Sequence, residues 1–214
     1  MYQIWHTGYV DLNQAASDLF GETESRVLRA LGRLNYPVSG RQLAILAGDA
    51  SASTVQRYLH KLREIGLVGV TKTPSATLYD LNRRHVYWPP IEQLLASRTR
   101  VNLDIVELVE GELGPTARVA AFGSVATGVA RPDSDYDLLV VVDESVSREE
   151  RTRVATKIGD LIETVSGSEG HVIDVSAMEL RELARHNSPL LSEWRRDARA
   201  IDGRGRIPQL SAES

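Results

Sequence analysis

Three aspartates on two predicted strands are the side chains of this chain best placed to do chemistry. Asp135 and Asp137 lie at the start of the segment DYDLLVVV, residues 135–142, whose apolar remainder predicts a buried strand. Side chains two residues apart on a strand share a face, so the two carboxylates project together. Paired carboxylates at a buried position are costly unless a cation compensates them, and hard divalent cations prefer oxygen ligands.

A third carboxylate lies in similar surroundings further along the chain. The segment HVIDV, residues 171–175, predicts another strand with Asp174 near its centre. If this strand lies beside the Asp137 strand, the three carboxylates converge, which suits the paired metal ions of phosphoryl-transfer sites. We interpret His171, at the start of the same segment, as a strand-end histidine rather than a catalyst.

A glycine–serine pair precedes these strands. Gly123 and Ser124 follow the short apolar segment 118–122, and ten residues separate Ser124 from Asp135. Gly-Ser, then Asp-x-Asp at the start of a strand, then a single Asp on a later strand, resembles the nucleotidyltransferase superfamily of the DNA polymerase beta type. The resemblance covers residues 91–203 and extends to the minimal nucleotidyltransferases and the aminoglycoside adenylyltransferases.

The resemblance implies a role for each motif residue. Asp135 and Asp137 would ligate two Mg²⁺ ions, and Asp174 would ligate one of them and help to deprotonate the attacking hydroxyl. Backbone N–H groups and a hydroxyl at a helix start would bind the triphosphate of an NTP. The implied nucleotide-binding set is Gly123, Ser124, Arg131 and Ser134. Many relatives carry arginines directly after Gly-Ser, where this chain has Val-Ala-Thr at 125–127.

The segment 21–87 has the pattern of three helices followed by a β-hairpin. Apolar residues at helical spacing predict the helices, and alternation of apolar and polar residues predicts the strands. The helices are expected at 22–34, 39–47 and 51–65, and the strands at 67–72 and 77–81. This order resembles a winged helix-turn-helix domain, with the hairpin as the wing.

The third of these helices would be the recognition helix of a DNA-binding domain. Its early polar residues are of the types that contact base edges in the major groove, and lysines could neutralise phosphates. The predicted DNA-binding set is Ser53, Thr54, Gln56, Arg57, Lys61 and Lys72. The alternative is a dimerisation or protein-docking domain whose charged residues are only a solvated surface.

Charge is distributed unevenly along the 214 residues. Residues 1–90 carry ten Lys and Arg against seven Asp and Glu, whereas residues 91–214 carry fifteen against twenty-two. A basic module joined to an acidic one indicates two kinds of partner, an anion such as nucleic acid for the first and metal cations for the second. The chain has no cysteine, which excludes disulfides, thiolate catalysis and Cys-built zinc sites.

Trp88-Pro89-Pro90 marks the predicted boundary between the modules, since this tripeptide cannot continue a strand or lie inside a helix, although it can begin one. The expected organisation is an N-terminal extension at 1–20, a winged helix at 21–87, a nucleotidyltransferase domain at 91–203 and a disordered tail at 204–214. No apolar run approaches the roughly 20 residues that cross a bilayer, and the first residues lack a secretion signal. These features predict a cytoplasmic protein without a membrane partner.

Together these patterns predict an α+β fold. Three helices and a β-hairpin wing come first, then a small mixed sheet with flanking helices, of which the helix at 91–113 breaks near 101–102. The expected function is magnesium-dependent transfer of NMP, with AMP foremost, from an NTP to a hydroxyl of a protein or RNA, in an antitoxin-like homodimer that binds DNA. Two alternatives stay open, namely a transcription regulator whose second domain senses nucleotides and an antibiotic adenylyltransferase.

Overall fold

A computed structural model describes Val10 and residues 16–123 and 136–211. The chain divides into two compact units, one of Gln14–Ser97 and one that contains Arg98–Ser214. This division lies beyond the Trp88-Pro89-Pro90 boundary that the sequence predicts. The reason is that Trp88 is only 3% exposed and belongs to the apolar core of the first unit, so the helix it begins packs there.

The first unit contains helices that pack around one apolar cluster. They are α1 (Ser17–Phe20), α2 (Glu22–Arg33), α3 (Gly40–Leu46), α4 (Ala52–Glu64) and α5 (Trp88–Leu95). The bounds of α2, α3 and α4 agree with the three predicted helices to within one residue at each end. Ser39 caps α3 in a reciprocal capping box with Gln42, which fixes where that helix begins.

A three-stranded antiparallel sheet completes the first unit. Its strands are β1 (Val38–Ser39), β2 (Val68–Lys72) and β3 (Thr77–Leu81), in the order β1-β3-β2. The hairpin of β2 and β3 is the predicted one, and its turn is closed by Thr73, whose hydroxyl donates to the carbonyl oxygen of Ala76 at 2.9 Å. The sequence did not predict β1, because two residues are too few to show an alternating pattern.

In the part of the second unit that the structure describes, a four-stranded mixed sheet carries helices on both faces. The strands are β4 (Arg118–Ala121), β5 (Tyr136–Val142), β6 (Gly170–Ser176) and β7 (Arg199–Ala200), in the order β6-β5-β4-β7. Strands β5 and β6 are parallel, and the other pairs are antiparallel. The helices are α6 (Ser97–Leu113), α7 (Arg148–Ser166), α8 (Ala177–Arg185), α9 (Pro189–Asp197) and α10 (Pro208–Ser211).

The helical segment before β4 breaks at Ala96, between α5 and α6, and not near 101–102 as the sequence predicts. At this break the Ser97 hydroxyl donates to the carbonyl oxygen of Leu94 at 2.9 Å, which satisfies one acceptor at the end of α5. Val101 lies inside α6 and is 7% exposed. Among the helices of the described ranges, none combines the length and the apolar character that a membrane-spanning segment requires.

The two faces of β5 contact different apolar cores. Tyr136, Leu138, Val140 and Val142 pack with α6 and α7, whereas Leu139 and Val141 pack with residues of α8, α9 and α10. We call these two sides of the sheet the α7 face and the α9 face. A strand buried on both faces explains why its sequence is a continuous apolar run rather than an alternating one.

The C-terminal segment differs from the disordered tail that its polar composition predicts. Ile207 and Leu210 are 3% and 6% exposed and belong to the core on the α9 face. The Arg195 guanidinium donates to the carbonyl oxygen of Leu210 at 2.9 Å. Two apolar anchors therefore hold the segment against the domain, and only residues 212–214 of the predicted tail lie outside the described residues.

Arg151 joins α7 to β6 and α8 through an ion network. Its guanidinium lies 2.6 Å from Glu179 Oε2 and 3.3 Å from Asp174 Oδ2, and its side chain is 8% exposed. The Glu179 carboxylate also accepts from the backbone N–H of Ser176 at 2.7 Å, which closes the N-terminus of α8. The hydrogen bond from Arg151 and this capping bond lower the pKa of Glu179 to about 2.

Replacing Glu179 with Gln tests this network. The native pKa of about 2 lies below the ordinary value of 4.5, so the carboxylate stabilises the fold above pH 4.5 and that contribution is lost as the pH falls toward 2. Because 43% of the side chain is exposed, solvent screening limits the loss of unfolding free energy at pH 7 to about 1 kcal/mol. Urea unfolding should show this loss at pH 7 and less than half of it at pH 3, where the native carboxylate is still mostly ionised but that of the unfolded chain is protonated.

Glu182→Gln is the matched control, since Glu182 is an exposed carboxylate on the same helix. It should leave the unfolding free energy unchanged at both pH values. An equal loss for Glu179→Gln at pH 7 and pH 3 would contradict the assignment of the stabilisation to the charge of Glu179.

Candidate active site

Gly123 and Asp137 meet where β4 ends and β5 begins. The backbone N–H of Phe122 donates to the carbonyl oxygen of Asp137 at 3.1 Å, one step beyond the last paired residue of β4. Gly123, the next residue, therefore lies directly beside Asp137, just past the last backbone hydrogen bond between the two strands. These two residues are the described members of the Gly-Ser and Asp-x-Asp motifs.

Gly123 occupies a position that only glycine fits without strain. Its φ of +67° lies in the left-handed region that side chains disfavour. A Cβ on this residue would stand 2.6 Å from Oδ2 of Asp137, closer than non-bonded atoms approach. The glycine thus leaves a cradle in which the Asp137 carboxylate lies against the backbone, next to the strand end where the predicted phosphate-binding residues begin.

Tyr136 anchors the start of β5. Its hydroxyl donates to Asn102 Oδ1 on α6, and its backbone N–H donates to the carbonyl oxygen of Glu169 at 3.1 Å. Burial raises the pKa of the Tyr136 hydroxyl above its ordinary value. This side chain therefore packs on the α7 face and fixes the strand that carries Asp137 on its other face.

Four predicted site residues lie outside the described residues: Ser124, Arg131, Ser134 and Asp135. Their roles in nucleotide and metal binding stay predictions. Asp135 directly precedes the first residue of β5, two positions before Asp137.

Asp174 lies on the strand beside β5, but on the opposite face of the sheet from Asp137. In the parallel pairing of β5 with β6, Asp174 is opposite Val140, three residues beyond Asp137. Because side chains alternate along a strand, an odd separation reverses the face. The Asp174 carboxylate instead lies 3.3 Å from Arg151 of α7. The expected convergence of these two aspartates is thus not found, because the register of β5 and β6 separates them.

His171 is the residue that β6 places beside Asp137. The two residues are direct partners in the parallel ladder, so their side chains share the α9 face. The His171 side chain is exposed, and β6 is an edge strand of the sheet. The sequence predicts only that His171 lies at a strand end. It does not predict that Asp137 is its neighbour, because nothing in the sequence shows the register of two strands that are far apart in the chain.

Metal ligation at this edge is consistent with the donors present. A carboxylate and an imidazole lie on adjacent strands, whose spacing is about 4.8 Å. Among the described residues there is no group of three His, Asp or Glu side chains that could hold a metal ion. Asp135, a predicted ligand, lies outside the described residues, and its role in metal binding stays a prediction.

The predicted DNA-binding residues lie on the first unit. Ser53, Gln56, Arg57 and Lys61 are exposed on α4, Thr54 is half-buried there, and Lys72 is exposed at the end of β2. The Tyr79 hydroxyl donates to Gln56 Oε1 at 3.0 Å, so the Gln56 amide is held by the sheet.

Comparison with known proteins identifies one part of the chain. Residues 105–195 match the family described as "Nucleotidyltransferase domain". Among solved structures, one described as the toxin-antitoxin with AMP-PNP is 18% identical with a TM-score of 0.37, covering 51% of this chain and 77% of that chain. A mutant of the toxin-antitoxin MntA-HpeT is 15% identical with a TM-score of 0.36 at the same coverage. No curated protein matches the chain.

The family match includes Gly123 and Asp137, which meet at the end of β4, and His171 and Asp174 on β6. The site therefore lies in the part of the chain that matches the nucleotidyltransferase domain family, and nucleotidyltransferase is the enzyme class that this match supports.

Proposed function

We propose that the protein transfers a nucleoside monophosphate, AMP foremost, from an NTP to a hydroxyl group of a protein or RNA. The observation that supports this most is the contact of Gly123 with Asp137 at the sheet edge, inside the matched domain. The acceptor oxygen bonds to the α-phosphorus, and the bond from that phosphorus to the bridging oxygen of the β-phosphate breaks. Pyrophosphate leaves with the electron pair, and the hydroxyl proton passes to a base or to water.

The proposed role of the chain's own residues is to hold and orient the nucleotide. Asp135 and Asp137 would hold two Mg²⁺ ions, since carboxylates are the ligands this cation prefers. Bound cations supply charge neutralisation at the α-phosphate and at the leaving pyrophosphate. The residues that would position the triphosphate are Gly123, Ser124, Arg131 and Ser134. Asp174 is not part of this proposal, because it lies on the α7 face with Arg151.

We further propose that the first unit binds DNA as a winged helix, with α4 in the major groove and the β2–β3 hairpin as the wing. This DNA-binding proposal is supported by the exposed polar and basic side chains on one side of α4, opposite the buried Val55, Leu59 and Leu62. Residues 21–90 carry ten basic against five acidic side chains. Paired half-sites would be read by a homodimer.

Gly123→Ala is the sharpest test of the proposed transfer site. The added Cβ would stand 2.6 Å from Asp137 Oδ2, so the carboxylate must move. Transfer should fall by about 100-fold or more, as expected when a group that stabilises the transition state is displaced. The measurement is label transferred from each α-labelled NTP to protein or RNA of a host lysate, together with released pyrophosphate.

Gly203→Ala is the matched control for backbone strain. Gly203 has a φ of +71°, and an added Cβ would meet none of the described atoms within 4 Å. This variant therefore carries a similar strain without disturbing Asp137 and should retain transfer. Equal activity of the two variants, whether both active or both inactive, would contradict the proposed site.

Asp135→Ala/Asp137→Ala separates transfer from the alternative of a nucleotide-sensing regulator. An enzyme should lose all label and pyrophosphate in this double variant. A wild-type protein that binds NTP but yields neither label nor pyrophosphate, while the variant still controls DNA, would establish the sensor instead.

Lys61→Ala/Lys72→Ala tests the DNA-binding proposal. If both lysines contact phosphates, the slope of log affinity against log salt should become shallower by about 2. Fluorescence anisotropy with DNA from upstream of the protein's own gene measures this slope. Arg148→Ala/Arg185→Ala removes the same charge from exposed positions of the second unit and should leave the slope unchanged. The same slope for the lysine variant and the wild type would refute the proposed contacts.

A further inference from the structure

We propose that a cavity at the C-terminal end of α9 binds a ligand that carries two or more linked phosphate groups. This arginine cavity has a volume of about 620 Å³ and lies between the end of α9, strand β7 and the segment 205–210. Its lining combines four guanidinium groups with apolar side chains that include Trp194 and Leu210. The four arginines are Arg195, Arg196, Arg199 and Arg206.

Positive charge is concentrated around this cavity, although the surrounding half of the chain is acidic. Residues 195–206 carry six of the fifteen Lys and Arg side chains that follow residue 90, but only two of the twenty-two Asp and Glu. All six are arginines. The planar guanidinium binds two oxygens of one phosphate group at once, which the point charge of a lysine does not do.

Carboxylates compensate only part of this charge. Asp197 pairs with Arg196 at 2.7 Å, and this hydrogen bond, followed by the charges of Asp197 and Glu193, raises the pKa of Arg196. Within the ranges that the structure describes, Arg199 and Arg206 form no ion pair. The cavity therefore presents positive charge that the nearby carboxylates do not neutralise.

Arg199 is held in place by neutral groups. Its Nη1 donates to the carbonyl oxygens of Arg196 and Ala198 at 2.9 and 3.1 Å. These carbonyls end α9, where the helix dipole favours a cation. A guanidinium has five N–H donors, so Nε and Nη2 of Arg199 are left for a ligand. The side chain is thus ordered before a ligand arrives, and its charge is still available.

Hydrogen-bond donors without acceptors also gather at the cavity. Arg206 is exposed and forms no hydrogen bond to the described residues. Trp194 is 1% exposed, and its indole N–H has no acceptor among those residues. A phosphate group supplies negative charge and strong acceptor oxygens together. Linked phosphate groups would therefore provide what several neighbouring donors lack.

The arginine cavity lies at the same end of the sheet as Asp137. Trp194 packs edge-on against Phe122 with ring centroids 6.2 Å apart, and the backbone N–H of Phe122 donates to the carbonyl oxygen of Asp137. Arg199 pairs with Ala121 at the end of β4. Two strand spacings, about 10 Å, separate β7 from β5. A phosphate chain held in the cavity is thus close to the transfer site, and its use as an acceptor rests on the proposed function.

The test is isothermal titration calorimetry of the purified full-length protein in EDTA, which withholds the cation that the proposed transfer requires. Two probes distinguish the sources of linked phosphate groups: tripolyphosphate for free nucleotides and a single-stranded RNA of about 12 nucleotides for a nucleic acid. Arg199→Gln/Arg206→Gln should weaken binding of the preferred probe by about 10-fold or more. For RNA, the slope of log affinity against log salt should become shallower by about 1.4.

Arg148→Gln/Arg185→Gln is the matched control, because it removes the same charge from exposed positions of the second unit outside the cavity. It should leave binding of both probes within about 2-fold of the wild type. Arg206→Gln alone guards against misfolding, since this exposed side chain has no described partner to lose. It should weaken binding by about 3-fold or more with unchanged thermal unfolding.

The outcomes either support or overturn the arginine cavity as a phosphate site. Tighter binding of RNA identifies a nucleic acid as the ligand, and tighter binding of tripolyphosphate identifies a free polyphosphate. Three results would overturn the proposal: no binding of either probe, equal weakening by the control variant, or polyglutamate bound as tightly as the preferred probe. Each of them would leave nucleotidyl transfer standing, because transfer is measured separately with the cation present.

Discussion

Burial of β5 on both faces is the constraint on which the second unit depends. Leu138 and Val140 fill the core with α6 and α7, while Leu139 and Val141 fill the core on the α9 face, and all four are at most 1% exposed. Such a strand has room for a charged side chain only at its open end. Asp137 lies at that end, where Gly123 has no side chain to exclude the carboxylate. Whatever lies beside Asp137 on β6 is then decided by register alone.

A buried arginine organises the opposite face. Arg151 is nearly inaccessible, so its charge must be compensated within the protein, and Glu179 and Asp174 do this from α8 and β6. The Glu179 carboxylate also accepts from the backbone N–H of Ser176, the N-cap of α8. Ser176 is in turn the last residue of β6 that pairs with β5, so the ion network of Arg151 adjoins both the helix cap and the end of the strand pairing. Asp174, on the strand next to Asp137, is thus accounted for by its ion pair with Arg151.

Local patterns predicted most of the elements. The helices of the first unit and the β2–β3 hairpin follow from apolar periodicity and from caps such as Ser39, which act within a few residues. The same holds for β5 and for the strand that carries Asp174. What the sequence did not reveal depends on contacts between distant segments. Ile207 and Leu210 pack in the core and hold a mostly polar C-terminal segment in place. Asp174 faces Arg151 because of the register between β5 and β6, which the sequences of the two strands do not reveal.

The central proposal is that the nucleotidyl-transfer site lies at the start of β5, where Gly123 meets Asp137, and that Asp174 is held on the opposite face by Arg151. Anomalous diffraction from crystals grown with Mn²⁺ and a non-hydrolysable ATP analogue tests this directly. The account predicts the cation beside an Asp137 oxygen, with Asp174 still paired to Arg151. Mn²⁺ bound by Asp174, with Arg151 displaced, would contradict it.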